Sequence, residues 1–127
     1  MRIAVVGAGA IGGYLGTRLA ASGEEVTFIA RGANLEAIRS KGMKLILEDG
    51  TELVAGGARA CEKMSEAGPQ DVVLLTVKAH QVAAIAADLK ALLHDQTSIV
   101  TMQNGIPWWY FQFEPVAVLV SRCCWVC

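Results

Sequence analysis

A glycine-rich turn near the start of the chain limits the possible folds more than any other sequence feature. Residues 7–12 read G-A-G-A-I-G, directly after the apolar, β-branched run Arg2–Val6 and at the start of the amphipathic stretch Ala10–Ser22. This order predicts a buried strand, a tight turn and a helix in succession. Because Glu25–Ala30 (EVTFIA) predicts a second strand, the chain opens with a predicted β-α-β unit, which has parallel strands and a right-handed crossover.

The remaining sequence continues to alternate between strand and helix patterns. The strand Asp71–Val77 (DVVLLTV) is apolar apart from its first residue and one threonine, as expected where a parallel sheet is covered on both faces. The other predicted elements are a helix at Asn34–Ser40, a hairpin of Lys44–Leu47 and Thr51–Val54 around Asp49-Gly50, a helical turn at Glu62–Ala67, a helix at Gln81–Leu93 and a strand at Ser98–Met102. We therefore predict one α/β, Rossmann-type domain over residues 1–112, a doubly wound and mostly parallel sheet with helices on both faces.

The spacing of the glycines is that of a dinucleotide-binding turn. Gly7 permits the tight turn, Gly9 lets the backbone approach a diphosphate, and Gly12 lets the helix pack closely on the strand. Free N–H groups and the positive dipole end of the helix then favour an anion. The predicted diphosphate-binding residues are Gly7, Ala8, Gly9, Ala10, Ile11 and Gly12. The alternative, a glycine-rich turn without a ligand, is disfavoured by the surrounding β-α-β pattern.

The identity of the dinucleotide is predicted from the end of the second strand. A site for NAD or FAD carries Asp or Glu there, about 20 residues beyond the glycines, to accept hydrogen bonds from ribose hydroxyls. This sequence has Ala30 and Arg31 instead, while Glu24 and Glu25 lie at the opposite end of the strand. Since a guanidinium offers a planar set of donors that matches a phosphate, Arg31 predicts NADP(H). The alternative is a solvated surface arginine.

Two polar pairs follow the later strands. Lys78 and Gln81 come after Asp71–Val77, and Gln103 and Asn104 come after the strand at 98–102. Ligands of open α/β sheets bind beyond the carboxyl ends of the strands, so we expect these side chains to line the cleft. Each taken alone is equally compatible with an ordinary helix start or turn.

Four of these segments together resemble one enzyme family. GAGAIGG at 7–13, the arginine at 31, TVKAHQ at 76–81 and QNGIPWWYF at 103–111 closely resemble the ketopantoate reductases (2-dehydropantoate 2-reductases), with the likeness running from Met1 to about Gln112. The resemblance implies NADPH-dependent reduction of 2-dehydropantoate to (R)-pantoate, in pantothenate and coenzyme A biosynthesis. It also implies that Lys78 and Asn104 lie beside the nicotinamide and substrate as catalytic residues, with Gln81 near the cofactor.

The implied chemistry suits these side chains. An alkoxide develops when a hydride attacks a keto carbon, so a cation or amide in the cleft stabilises charge or orients the 2-oxo acid. Two alternatives remain open: a module that binds NADP(H) without turnover, and a Rossmann dehydrogenase for another 2-oxo acid.

The last part of the chain departs from the family pattern. The family continues into a helical domain that carries the principal catalytic lysine, and we expect that domain to be absent here. Residues 113–127 (FEPVAVLVSRCCWVC) look like the product of a truncation or a shifted reading frame. With the aromatic residues 108–111, this apolar tail is expected to form an exposed patch that favours self-association. We expect the isolated chain to have almost no turnover.

Composition argues against several other classes of protein. The formal net charge of -1 gives no electrostatic basis for binding nucleic acid or an anionic membrane. No apolar run approaches the roughly 18 residues of a membrane span. The first 22 residues resemble a secretory signal, but glycines interrupt the apolar part, so a cytoplasmic protein is predicted. Cys61 stands alone and the other three cysteines crowd the last five residues, so no metal site is predicted.

Overall fold

The computed structural model describes residues 1–105. Seven strands are present in this range: β1 (Arg2–Val6), β2 (Glu25–Ile29), β3 (Met43–Ile46), β4 (Glu52–Ala55), β5 (Arg59–Cys61), β6 (Val72–Leu75) and β7 (Ser98–Thr101). Four α-helices alternate with them: α1 (Ala10–Ala21), α2 (Gly32–Lys41), α3 (Met64–Ala67) and α4 (Ala79–Leu89), the last followed by a 3₁₀ turn at Lys90–Leu92. The predicted domain boundary at residue 112 and the apolar tail lie outside the described residues.

Five of the strands form one parallel sheet in the order β5-β2-β1-β6-β7. The chain builds outward from β1 through β2 to β5, and then crosses to the other side of β1 to add β6 and β7. This reversal of direction confirms the predicted Rossmann-type, doubly wound sheet. It also creates a switch point between β1 and β6, where folds of this class place their ligands.

Alternate residues of the central strand β1 face two separate cores. Ala4 and Val6 pack with the apolar face of α4 on one side, where Val82, Ile85 and Leu89 are buried. Ile3 and Val5 pack on the other side, in a core completed by buried residues of β2 and α2 and by half-buried residues of α1. The predicted covering of both sheet faces by helices is therefore confirmed. It explains the continuous apolar runs in the sequence.

The predicted hairpin is formed by β3 and β4 and lies outside the parallel sheet. Their antiparallel register pairs Lys44 with Val54, and the hairpin packs against α1. In the connection, Gly50 has φ +80° and its N–H donates to the Leu47 carbonyl oxygen at 3.0 Å. The Asp-Gly signal for a tight turn is therefore confirmed, with the positive φ confined to the glycine.

Several boundaries differ from the predicted ones. The strand β5 was not predicted, because Arg-Ala-Cys has little β propensity of its own and is held by pairing with β2. The helix α4 begins at Ala79 rather than at Gln81, since Lys78 occupies the N-cap position, and it gives way to the 3₁₀ turn after Leu89. The helix α2 begins at Gly32 rather than at Asn34.

Candidate functional site

A cleft of about 810 Å³ lies at the carboxyl ends of β1, β2 and β6. It is the region where the strand order reverses. The polar and glycine-rich part of its lining consists of residues 7–11, Arg31, Asn34, Thr76, Lys78, His80 and Gln81. The cleft therefore collects the turn, the arginine and the lysine that were singled out in the sequence.

The first glycine of the turn is fixed by backbone geometry. Gly7 has φ +104°, and its N–H donates to the Ile29 carbonyl oxygen at 3.1 Å. A β-carbon at this position would lie 2.8 Å from Val77 Cγ1 and 3.1 Å from the Val77 nitrogen. The turn thus passes directly over the end of β6, which leaves no room for a side chain.

The third glycine is required by the close approach of α1 to the sheet. A β-carbon on Gly12 would overlap the Gly7 carbonyl oxygen and lie 2.6 Å from Thr76 Oγ1. The Thr76 hydroxyl lies 2.6 Å from the same Gly7 oxygen and 2.9 Å from the Val6 oxygen. Thr76 therefore ties the end of β6 to the turn, a role that sequence reasoning missed although TVKA was part of the recognised pattern.

The middle glycine has a different environment. Gly9 is exposed, and a β-carbon placed on it would meet nothing within 4 Å. It is the N-cap residue of α1, which has no capping side chain and no acidic residue in its first turn. The positive end of the helix therefore faces the cleft without an internal counter-charge. These features fit a bound diphosphate, because the space and the donors it needs are both present.

Arg31 lies two residues beyond the end of β2 and is the N-cap residue of α2. Its side chain is exposed and lines the cleft. Within residues 1–105 the guanidinium makes no ion pair or side-chain hydrogen bond. One turn further on, Asn34 Nδ2 donates to the Ala8 carbonyl oxygen at 3.3 Å. Asn34 thus links α2 to the glycine turn, and its position three residues after Arg31 was the signal that sequence reasoning overlooked.

Lys78 and Gln81 lie at the start of α4 on the same cleft. The Lys78 N–H donates to Gln81 Oε1 at 3.0 Å, and the Gln81 N–H donates to the Lys78 carbonyl oxygen at 2.9 Å. Gln81 therefore caps the helix, which fixes the backbone of Lys78 at the edge of the cleft. The Lys78 ammonium is exposed and has no ion-pair partner in the described part of the chain.

Asn104 was predicted for the same cleft. It follows β7, which pairs with β6, so Lys78 and Asn104 do leave neighbouring parallel strands. Asn104 is exposed and is not among the residues that line the cleft. The preceding Gln103 is instead fixed in place, since its Nε2 donates to the carbonyl oxygens of Leu75 and Val77, both at 2.9 Å.

Among the described residues, the acidic and basic side chains that line the cleft are all basic. Arg31 and Lys78 line it, whereas no aspartate or glutamate does so among the residues that the structure describes. A cleft with two unpaired cations and an open helix N-terminus suits an anionic ligand with more than one charged group. Over the same range, no helix is long and apolar enough to cross a membrane, and no three potential metal ligands come together.

Comparison with known proteins gives one consistent family. The family model described as ketopantoate reductase PanE/ApbA matches residues 3–107. A 2-dehydropantoate 2-reductase of Mesorhizobium japonicum is 52% identical over 112 residues, which cover 87% of this chain and 34% of that protein. The chain thus spans about a third of the length of the curated relatives it matches.

Solved structures show the same likeness. The crystal structure of 2-dehydropantoate 2-reductase from Geobacter metallireducens GS-15 matches with a TM-score of 0.77 and 35% identity, over 84% of this chain and 35% of that one. A ternary structure of D-mandelate dehydrogenase with NADH and anilino(oxo)acetate matches with a TM-score of 0.73 and 31% identity, over 84% of this chain and 34% of that one. The fold is therefore shared by enzymes that are named for different substrates.

Proposed function

The chain belongs to the ketopantoate reductase family, and we propose that its cleft binds NADP(H) as the cofactor-binding part of a 2-dehydropantoate 2-reductase. The observation that carries the cofactor assignment is the exposed, unpaired Arg31 at the end of β2, in a cleft that no described carboxylate lines. A guanidinium at this position favours a ribose phosphate and offers no acceptor to a free ribose hydroxyl. The proposed location is the cytoplasm.

Each site residue has a role in this proposal. The turn at residues 7–12 holds the diphosphate through backbone N–H groups, and Arg31 binds the 2′-phosphate. Lys78 and Asn104, which leave the neighbouring strands β6 and β7, bind and orient the 2-oxo acid and the nicotinamide. Gln81 supports Lys78 through the helix cap. The reduced nicotinamide, when bound, supplies the hydride.

Lys78 has the properties that the developing alkoxide requires. Its ammonium is an exposed donor at the edge of the cleft, and a cation there stabilises negative charge on the substrate oxygen. Because the chain spans about a third of its relatives, we propose that full turnover needs the part of the enzyme that those relatives carry beyond this region. The isolated chain is expected to bind the cofactor and to oxidise it very slowly.

A titration of this chain with NADPH and NADH, followed by the fluorescence of the reduced nicotinamide, tests the proposal. We expect NADPH to bind at least about tenfold more tightly, which corresponds to one charge-assisted contact. Equal affinity for the two cofactors would refute the assignment of Arg31. No binding of either would refute the cofactor site.

The substrate needs a separate measurement, because the D-mandelate dehydrogenase likeness favours a second candidate, a reductase of another 2-oxo acid. Absorbance of NADPH is followed with 2-dehydropantoate and with aromatic 2-oxo acids, using the chain joined to the remainder of a relative. Faster oxidation with 2-dehydropantoate supports the first assignment, and faster oxidation with an aromatic acid supports the second. Cofactor binding without oxidation by any of them indicates a non-catalytic NADP(H)-binding module.

A further inference from the structure

A second cleft of about 750 Å³ adjoins the first and shares part of its lining. It lies between the ends of β2 and β5, the start of α3 and the outer side of α4. Ile29, Arg31 and Met64 line both clefts. A ligand group bound by Arg31 therefore has room on the side of β5 as well as on the side of the glycine turn.

Lys63 reaches this second cleft from the strand next to β2. In the parallel register of β2 and β5, Ile29 pairs with Cys61, and the Ala30 N–H continues the ladder by donating to the Cys61 carbonyl oxygen at 3.0 Å. Arg31 and Lys63 each lie two residues beyond this pair. Both have extended backbones and both directly precede a helix. The two cations thus occupy equivalent positions at the same edge of the sheet.

The Lys63 ammonium is available for a ligand. The side chain is exposed, and among residues 1–105 it has no ion-pair partner. The nearby carboxylate of Glu66 is engaged elsewhere: one oxygen accepts from the Lys63 backbone N–H at 3.3 Å, and the other lies 3.8 Å from Arg39 Nη2. Glu66 therefore holds the Lys63 backbone in place, while the Arg39 guanidinium competes for its charge.

The charges around the second cleft are mixed, with a small positive excess. Arg31, Lys63 and Lys90 contribute cations, and Glu62 and Asp88 contribute carboxylates. A phosphate monoester carries about 1.5 to 2 negative charges at neutral pH, more than one guanidinium neutralises. A second cation from the neighbouring strand supplies the missing charge, whereas Glu62 opposes it.

We propose that Lys63 is a second specificity-determining residue, which binds the 2′-phosphate of the cofactor together with Arg31. This assignment rests on the proposed function, because it requires a phosphorylated ribose at the end of β2. It adds a residue that follows β5, the strand that the sequence pattern did not predict. The preference for the phosphorylated cofactor is then shared between two neighbouring strands.

The test uses two probes that differ only in the group of interest. Adenosine 2′,5′-bisphosphate and adenosine 5′-monophosphate are titrated into this chain by calorimetry, with the variants Lys63→Ala and Lys63→Gln. We expect either substitution to weaken the bisphosphate about tenfold and the monophosphate by less than about twofold, since one charge-assisted contact is lost. Glu62→Gln is expected to strengthen bisphosphate binding. Lys41→Ala, which removes an exposed cation that lines neither cleft, is the matched control and should change neither affinity.

The outcomes separate this inference from the proposed function. If Arg31→Ala weakens the bisphosphate selectively and both Lys63 variants do not, the role of Lys63 is wrong and the NADP(H) site stands. Equal weakening of both probes by the Lys63 variants also overturns it, because the effect then does not involve the 2′-phosphate. If the unmodified chain binds the two probes equally, both proposals fail. Thermal unfolding of each variant shows whether a loss of affinity is caused by misfolding. If Lys63→Ala misfolds, the affinity of Lys63→Gln decides the result.

Discussion

The two ends of the parallel sheet differ in whether their charged side chains form ion pairs. At the amino end, Asp71 accepts from the Arg2 side chain at 2.9 Å and from the Arg2 backbone N–H at 2.8 Å, and its carboxylate also lies 3.3 Å from His94 Nε2. At the carboxyl end, the side chains of Arg31 and Lys78 have no such partner among the described residues. The charged groups at the amino end are thus paired with each other, whereas those at the carboxyl end remain available to a ligand.

The largest effect is expected where the carboxyl end is most tightly packed. The substitution Gly12→Ala places a β-carbon against the Gly7 carbonyl oxygen and Thr76 Oγ1. We expect a loss of about 3 kcal/mol in the free energy of unfolding, the upper end of the usual range for overpacking, and loss of NADPH binding. Urea denaturation with a parallel fluorescence titration measures both. An unchanged unfolding midpoint would show that α1 can move away from the sheet.

The second largest effect is expected at the unpaired guanidinium of Arg31. Arg31→Ala is expected to weaken NADPH binding by roughly 1.5–3 kcal/mol, the usual size for a hydrogen bond to a charged group, and to leave NADH binding and stability nearly unchanged. Arg18→Ala is the matched control, because Arg18 is an exposed arginine of α1 that lines neither cleft. Parallel titrations of both cofactors measure the difference. An equal loss for NADH and NADPH would contradict a role at the 2′-phosphate.

Gly9→Ala is expected to separate the effect of the glycine turn on stability from its effect on NADPH affinity. A β-carbon there meets no protein atom within 4 Å, so only the weaker N-cap preference of alanine should act, at about 0.5–1 kcal/mol of stability. The added methyl group occupies the space proposed for the diphosphate, and we expect NADPH affinity to fall about tenfold or more. Calorimetric titration and thermal unfolding measure the two effects. Undiminished affinity would place the diphosphate elsewhere.

The smallest effect concerns the paired charge at the amino end. The Arg2 side chain and backbone N–H hold the pKa of the Asp71 carboxyl well below its usual value. A depressed pKa in the folded state adds stability above the unfolded pKa of about 4, and this stability is lost as the pH falls further.

Asp71→Asn should therefore destabilise the chain modestly at pH 7, with a difference that narrows as the pH falls below about 4. Denaturant unfolding across pH 3–7 measures it. Cofactor affinity at pH 7 should be unchanged, since Asp71 lies at the opposite end of the sheet. A constant difference at every pH would show that the ion pair does not cause the effect.

The parts of the fold that sequence reasoning predicted are those encoded locally. The glycine turn, the strands with β-branched runs and the Asp-Gly hairpin each carry their signal within a few residues, and their conformations follow from sterics. The strand β5 does not, because its three residues become a strand only by pairing with β2. Lys63 was missed for the same reason. Its position beside Arg31 depends on a register that no local pattern contains.

The candidate site divides in a similar way. Arg31, Lys78 and Gln81 were predicted from their positions directly after strands, and the structure brings them to one cleft. The capping contact of Gln81 with Lys78 was not predicted, nor was the fixing of Gln103 by the end of β6. Asn104 was expected in the cleft and lies outside its lining. The ends of neighbouring strands are adjacent, but a position after a strand does not by itself place a side chain in the lining of the cleft.

The contact of Thr76 with the glycine turn has a consequence for the kinetics of binding. Protein contacts already hold the turn in its conformation, so a ligand that binds in the cleft needs to order little of the backbone. Such preorganisation lowers the entropic cost of association. Most substitutions in the cleft should then change the association rate constant only slightly. Their effect on affinity should come mainly from the dissociation rate constant, that is, from the residence time of the ligand. A substitution at Thr76 is the exception, because it would convert a rigid receptor into one that must first be ordered.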